Sequence, residues 1–146
     1  VAELLHTYDP GLVTVTFGPI LITGYGPEDF VTVKRTEPTF EMTAGAGGDV
    51  VRVRKRRRDG TVTLTLLQAS PTNDLLSAIL AEDEELGTGI RPFMLKDLSG
   101  TTLVAAPAAW IQGYPEVGRG AAAGTVEWMI DCARLSKLVG GQIIVG

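Results

Sequence analysis

Valine and threonine alternate along much of this chain. Residues 12–17 read Leu-Val-Thr-Val-Thr-Phe and residues 30–35 read Phe-Val-Thr-Val-Lys-Arg. Period-two alternation in β-branched residues, bounded by glycine and proline, predicts strands. Shorter strands are expected at 20–23 and 40–43, with a flexible Gly-Ala-Gly-Gly loop at 45–48. Residues 49–57 and 61–68 flank Asp59-Gly60, which predicts a two-residue hairpin turn. With that turn Arg58 pairs with Thr61 and Val53 with Leu66. One face then holds Val51, Val53, Val62, Leu64 and Leu66, the core. The other holds Arg52, Arg54, Arg56, Arg58, Thr61, Thr63 and Thr65, which is solvated or faces a partner.

The period changes at Ser70. Leu75, Leu76, Ile79 and Leu80 recur at helical spacing and predict one helix over about residues 71–86. Ser70 can cap it, Pro71 and Asp74 suit its first turn, and Gly87 is a natural stop. Strands are expected again at 92–98, 101–106, 108–113 and 143–145, with a turn at Ser99-Gly100. Residues 125–132 alternate cleanly: Val126, Trp128 and Ile130 inward, Glu127, Met129 and Asp131 on the opposite face. About ten short strands and one helix predict a mainly β fold, a β-sandwich or barrel with one flanking α-helix.

The length of 146 residues fits one domain, expected to span 1–146. Hydrophobic content of 45% and charged content of 21% are globular values and exclude a disordered or collagen-like chain. Cys132 is the single cysteine and His6 the single histidine, so an internal disulfide and a cysteine zinc site are both excluded. Residues 1–10 lack the features of a signal peptide, and the apolar runs are too short to span a bilayer. Val1 stands where Met is usual, so trimming is expected, and the chain reads as soluble and intracellular at synthesis.

Charge changes the picture more. The net charge is −4, yet Arg52, Arg54, Lys55, Arg56, Arg57 and Arg58 place six positive charges and no acid in residues 52–58. The remaining chain is correspondingly more acidic. A basic patch on an acidic body points to an acidic partner, which can be another copy of the same chain. Glu82-Asp83-Glu84-Glu85 is the counterpart. It ends the helix, where the helix dipole disfavours negative charge by about 0.3–1 kcal/mol. A complementary surface accounts for four acids there, and the basic run is the one dense match. A solvated face is the plain alternative for the arginines, and a groove-reading β-ribbon is another, although no aromatic residue is interleaved.

Catalytic patterns are thin. Residues 45–48 lack the Lys-Ser/Thr of a P-loop, and residues 118–124 lead into a strand pattern rather than a helix. No nucleophile motif surrounds Ser70, Ser77, Ser99 or Ser136 to partner His6. Glu28-Asp29 and Glu127/Asp131 are acid pairs without a sign of a shared desolvated pocket, and Cys132 reads as a small core residue. No catalytic residue, metal site or cofactor is expected.

The order of motifs resembles the tail tube proteins of tailed bacteriophages, in the group found mainly in contractile-tailed phages. The matching pieces are Tyr8-Asp9-Pro10 with Val13-Thr14-Val15, Ile22-Thr23-Gly24-Tyr25, Phe30-Val31-Thr32-Val33, Ala109-Trp110-Ile111 and Glu127-Trp128. The most specific is the stretch 60–77, Gly-Thr-Val-Thr-Leu-Thr-Leu-Leu-Gln-Ala-Ser-Pro-Thr-Asn-Asp-Leu-Leu-Ser. The resemblance covers nearly the whole chain. The arginine density at 54–58 is the departure from the family pattern.

The resemblance implies a tail-tube β-sandwich or barrel and a structural virion protein, related to type VI secretion and pyocin tubes. It implies hexameric rings whose inner sheets join, stacked into a hollow tube that conducts DNA into the host. No catalytic residues carry over. The implied partners are other copies of the chain, the tail sheath, the baseplate and the tail terminator, with DNA passing through unbound and no membrane-spanning segment. The implied location is the virion tail, and the host cytoplasm during assembly. On this reading Arg54, Lys55, Arg56, Arg57 and Arg58 meet Glu82, Asp83, Glu84 and Glu85 of a neighbour at the ring-stacking interface. Glu127 and Asp131 face the lumen and keep it net negative. A terminator or baseplate subunit on the same fold, a nucleic-acid-binding β-ribbon protein, and an enzyme with a pocket near His6 are the rival readings.

Overall fold

A computed structural model describes residues 5–141 and 144–145. Strands β1 (Leu5–His6), β2 (Val13–Phe17), β3 (Ile20–Leu21), β4 (Val31–Arg35), β5 (Phe40–Ala44), β6 (Val50–Arg54) and β7 (Gly60–Leu67) precede the helix α1 (Thr72–Leu86). Strands β8 (Arg91–Asp97), β9 (Leu103–Ile111), β10 (Thr125–Cys132), β11 (Ser136–Leu138) and β12 (Ile144–Val145) follow it. The fold is mainly β with one helix, and every strand pair is antiparallel.

The main sheet runs β3-β2-β8-β9-β10-β7-β4, with β11 beside β9. Alternation decides its faces. Val15 and Phe17, Val62, Leu64 and Leu66, Phe93 and Leu95, and Trp128 and Ile130 are buried on one side, while their neighbours in sequence point outward. Burying each such side chain stabilises the fold by about 1.5–3 kcal/mol. Leu76, Ile79 and Leu80 of α1 join the same core cluster, so the helix covers that face. Leu75, expected in the apolar stripe, is instead 48% exposed at its margin. The helix is pinned by polar bonds: Trp128 Nε1 donates to Asn73 Oδ1 at 2.9 Å, and Ser70 Oγ donates to the Thr23 carbonyl at 2.7 Å. Ser70 lies so close to Gly24 that a Cβ there would sit 2.4 Å from its hydroxyl oxygen, and Gly24 also adopts φ +75°. Gly87 ends α1 in the left-handed conformation as expected.

The Asp59-Gly60 hairpin does not form. β7 pairs with β10 and β4, and β6 pairs with β5. Gly60 has no positive φ; it starts β7, opposite both Arg35 and Cys132. Its lack of a side chain serves close approach: a Cβ would lie 2.6 Å from the Lys34 carbonyl and 2.7 Å from Leu135. Consequently Val51 and Val53, expected in the core with Val62, Leu64 and Leu66, are 58% and 41% exposed. They belong to a separate two-stranded arm, β5–β6, whose turn is residues 45–49.

The expected strands at 101–106 and 108–113 are one strand, β9, which continues through Pro107. Its register against β8 shifts there: Arg91 faces Ala109 but Phe93 faces Ala106. A bulge is where an interior proline, lacking its N–H, is tolerated in a sheet. Strands β1 and β11 were not expected; both are very short and carry no clear alternation. Of the strand expected at 143–145, Ile144 and Val145 pair with β1, and residue 143 lies outside the described residues. Among the described residues no helix is long and apolar enough to cross a membrane.

Candidate functional site

Residues 55–59 form a tethered link between β6 and β7. Arg57 donates from Nε and Nη2 to the Asp59 carboxylate at 3.0 and 2.8 Å, and Thr36 Oγ1 donates to it at 3.0 Å. These donors, Arg57 foremost, hold the Asp59 carboxyl down at about 2. Lys55 pairs with Glu41 at 3.0 Å, which raises its ammonium pKa. Arg58 bonds the Lys55 and Arg57 carbonyls, and its own carbonyl accepts from Leu135 N at 2.7 Å. Arg54 and Arg56 are exposed. Ala133 and Arg134, beside Leu135, complete a concavity of about 510 Å³ with Arg54, Arg56, Arg57, Arg58 and Asp59. The tail of β10 thus adds Arg134 to the basic run, which spacing along the chain does not reveal.

The acidic run is partly explained within its own helix end. Asp83 Oδ1 accepts the Gly89 N–H at 3.0 Å, and Glu82 Oε1 accepts from the Thr88 hydroxyl at 2.9 Å. These bonds hold the turn after α1, so complementarity to a partner is not needed to account for Glu82 and Asp83. Glu84 and Glu85 are exposed and, among the described residues, hold no hydrogen bond or ion pair. Within one chain no ion pair among the described residues joins the basic and acidic runs.

Glu127 and Asp131 lie on the outer face of the sheet, as their alternation predicts. Asp131 is half-buried, accepts from Thr61 Oγ1 at 3.2 Å, and sits between Thr61 and Trp110 across the strands. Thr61, Thr63 and Thr65 of β7 and Thr32 and Lys34 of β4 continue this face. Lys96 lies on it as well, so two lysines answer the two acids.

A second concavity, of about 820 Å³, opens between Val13 and Leu95 at one end of the sheet order and Val31 at the other. The sheet curls enough to bring these strands towards each other. Beside β7, Tyr25 faces Leu66 and Val31 faces Leu64, so residues 26–30 leave the ladder opposite the single residue Thr65. Gly26 N and the Phe30 carbonyl both bond Thr65, which ties the ends of this loop and projects Pro27, Glu28 and Asp29. Tyr25 packs on Phe30 with ring centroids 4.5 Å apart, and burial pushes its phenol up to about 12 against the pull of the Val15 backbone.

The remaining candidates fall outside these surfaces. His6 lies in β1, and only its backbone is described. Residues 118–124 lie in the long link between β9 and β10. Cys132 is buried in the core, as expected of a small apolar residue.

A helix-covered, curled β-sheet with an exposed two-stranded arm and separated charge clusters presents broad surfaces rather than an enclosed site. The sequence profile of the family described as "Bacteriophage PhiTE tail tube protein" matches residues 11–140, and the chain belongs to that family. It is therefore a structural tail protein of a phage virion, of the tail tube family. "Structural protein ORF10" of Pseudomonas phage KPP10 is 28% identical over 144 residues, covering 93% of this chain and 83% of that protein.

Solved structures share the fold at low identity. The anti-feeding prophage cap, a tube terminating cap, superposes with a TM-score of 0.65 at 9% identity, over 94% of this chain and 95% of that one. The sheath/tube terminator of the extracellular contractile injection system PVC gives 0.62 at 10% identity, over 92% and 99%. The sheath-tube complex of the same system gives 0.61 at 9% identity, over 90% and 91%.

Proposed function

We propose that the chain, as one tail-tube domain over residues 1–146, assembles into six-fold rings that stack into the hollow tail tube, the conduit for DNA ejection into the host. The observation that carries this reading is the outer edge of β4, which no further strand pairs among the described residues and where only the Lys137 ammonium is seen to bond, to the Val33 carbonyl at 3.0 Å. Phe30 and Thr36 bond toward β7 and Asp59, so the alternate residues Val31, Val33 and Arg35 turn their backbone groups away from β7. An unpaired edge of this kind is a template for another strand, and joining edges between subunits removes it. The family match over residues 11–140 supports the tube as the assembly served.

On this reading the outer sheet face lines the channel, where Glu127 and Asp131 offset Lys34 and Lys96 and keep the wall from gripping DNA phosphates. Arg54, Lys55, Arg56, Arg57 and Arg58 contact Glu82, Asp83, Glu84 and Glu85 of the adjacent ring, with exposed Glu84 and Glu85 foremost. The subunit works without catalysis or cofactor. Sheath, baseplate and terminator proteins are its partners, and assembly takes place in the host cytoplasm.

A terminator role is the second reading, favoured by the two terminator structures among the fold neighbours. Electron microscopy of the purified protein separates the two. Tubes of stacked rings are expected. Single rings that never stack would support the terminator, and monomers at every concentration and salt would overturn both.

A further inference from the structure

Two features of the molecule stand unexplained by its own core, and their chemistries match. The arm β5–β6 is a separate two-stranded sheet, and each of its ten residues is exposed. Directly opposed residues in an antiparallel pair share a face, so Phe40 and Arg54, Met42 and Arg52, and Ala44 and Val50 lie together. Met42 is 74%, Val50 59% and Phe40 43% exposed. The Arg52 guanidinium lies 4.2 Å above the Phe40 ring, which pre-orients its charge. This face is apolar and cationic and carries no acid.

The concavity between the sheet ends has the reverse character. Its walls are Val13, Tyr25, Phe30, Val31 and Leu95, and its rim carries Glu28 and Asp29 on the projecting loop. No lysine or arginine lines it. Among the described residues neither rim acid has an ion pair. A loop that leaves the ladder at both tied ends holds these acids outward instead of letting them fold against a cation of the chain. The wide mouth and exposed acids suit a protein face better than a small molecule, which needs enclosure and convergent polar groups.

We propose that this cleft receives the Phe40–Met42–Arg52 face of the arm of a second copy of the chain. Met42 and Phe40 cover the aromatic and aliphatic walls, and Arg52 meets Glu28 and Asp29. Arm and cleft are different surfaces, so the contact is heterologous and repeats from copy to copy. The proposal rests on the self-assembly reading above, and it assigns the arm an acceptor distinct from Glu82–Glu85.

Complementary charge reversal tests it. The variant R52E sets a carboxylate on the arm against an acidic cleft, and E28K/D29K presents a basic arm to a basic cleft. Each alone should raise the concentration needed for assembly about tenfold or more. Their equimolar mixture, in which every arm finds an opposite cleft, should return it to near the wild-type value. Unaltered assembly of E28K/D29K, or no rescue in the mixture, would overturn the proposal. Matching near-ultraviolet circular dichroism of both variants with wild type verifies the fold.

Cysteine pairing separates this proposal from the tube reading. Copies carrying Met42→Cys are mixed with copies carrying Asp29→Cys under oxidised glutathione, and the mixed disulfide is identified by mass spectrometry. Its formation is expected. Tubes that form without it would remove the arm–cleft contact and leave the tube; linked dimers without rings or tubes would do the opposite.

Discussion

Arg35 donates to the Leu135 carbonyl through both Nη2, at 2.7 Å, and Nε, at 3.2 Å. Arg35 ends the edge strand β4 and Leu135 lies between β10 and β11, and Leu135 also gives its N–H to the Arg58 carbonyl. This one backbone unit therefore fixes β4, the arginine link and the tail of β10 together. Hydrogen bonds to a charged donor contribute about 1.5–3 kcal/mol, more than neutral ones. Arg35→Met is expected to lower unfolding stability by about that amount and Arg35→Lys by less, because an ammonium cannot reproduce the fork. Urea unfolding of the two variants checks the order.

Asp59 gives the acid limit of the same region. Its carboxyl sits at about 2 in the folded chain against an ordinary 3.8, chiefly because Arg57 and then Thr36 donate to it. A carboxyl lowered on folding adds stability that is fully present above its unfolded value and lost as pH falls through the folded one. The wild-type protein should therefore lose part of its stability between 3.8 and about 2. Asp59→Asn should remove that part of the pH dependence and be less stable at neutral pH. Denaturant midpoints across this range measure both; an identical pH slope in the variant would show the pairing to be silent.

Cys132 carries the opposite shift. Burial first, and the charge of Asp131 second, push its thiol up to about 11. At pH 8 the thiolate fraction is then about one in a thousand, and the thiolate is the reactive form. Aromatic disulfide reagents should label native protein at least about a hundredfold more slowly than protein in denaturant. The native rate should rise with pH toward 11. Fast labelling at pH 8 would mean that the core opens there.

Long strands with one buried face were legible in the sequence because burial imposes a period of two wherever a strand crosses the core. β2, β7 and β10 and the helix α1 lie close to where alternation and helical spacing place them. Asp59-Gly60 misled because turn chemistry is local, whereas the partners of β7 are β4 and β10, the latter paired through contacts such as Thr63 with Met129. The Val-Arg alternation of β6 read as half core, yet the arm stands apart, and alternation alone cannot tell a core face from a face awaiting a partner. The basic run and the outward Glu127 and Asp131 were visible as composition and phase. Glu28-Asp29 was visible as an acid pair, but its place on a cleft rim and that of Arg134 beside the link were not, since their neighbours are set by a bend and a bulged loop without a periodic signature.

Stacking should depend on the arginine link through its charge. Arg54, Arg56, Arg57 and Arg58 line a concavity with one acid, Asp59, and Arg54, Arg56 and Arg134 are exposed around it. A single exposed ion pair is worth about 0–1 kcal/mol, but a cluster repeated around a ring adds up and fixes register. Screening beyond about 8–10 Å at ordinary ionic strength means that tubes should shorten as salt rises. Reversing the exposed Arg54 and Arg56 to Glu should stop stacking while rings and thermal stability persist, because Arg57 and Arg58, which tether the link to Asp59 and to its own carbonyls, are left in place. Reversing Glu82, Asp83, Glu84 and Glu85 to Lys in the same chain should restore part of the tube length. Because Glu82 and Asp83 also hold the Thr88–Gly89 turn, the rescue should be better when only Glu84 and Glu85 are reversed. Tube lengths measured by negative-stain microscopy decide it. Normal tubes from the arginine variant would make the link a solvated surface, and failed rescue in both combinations would place its acidic partner elsewhere.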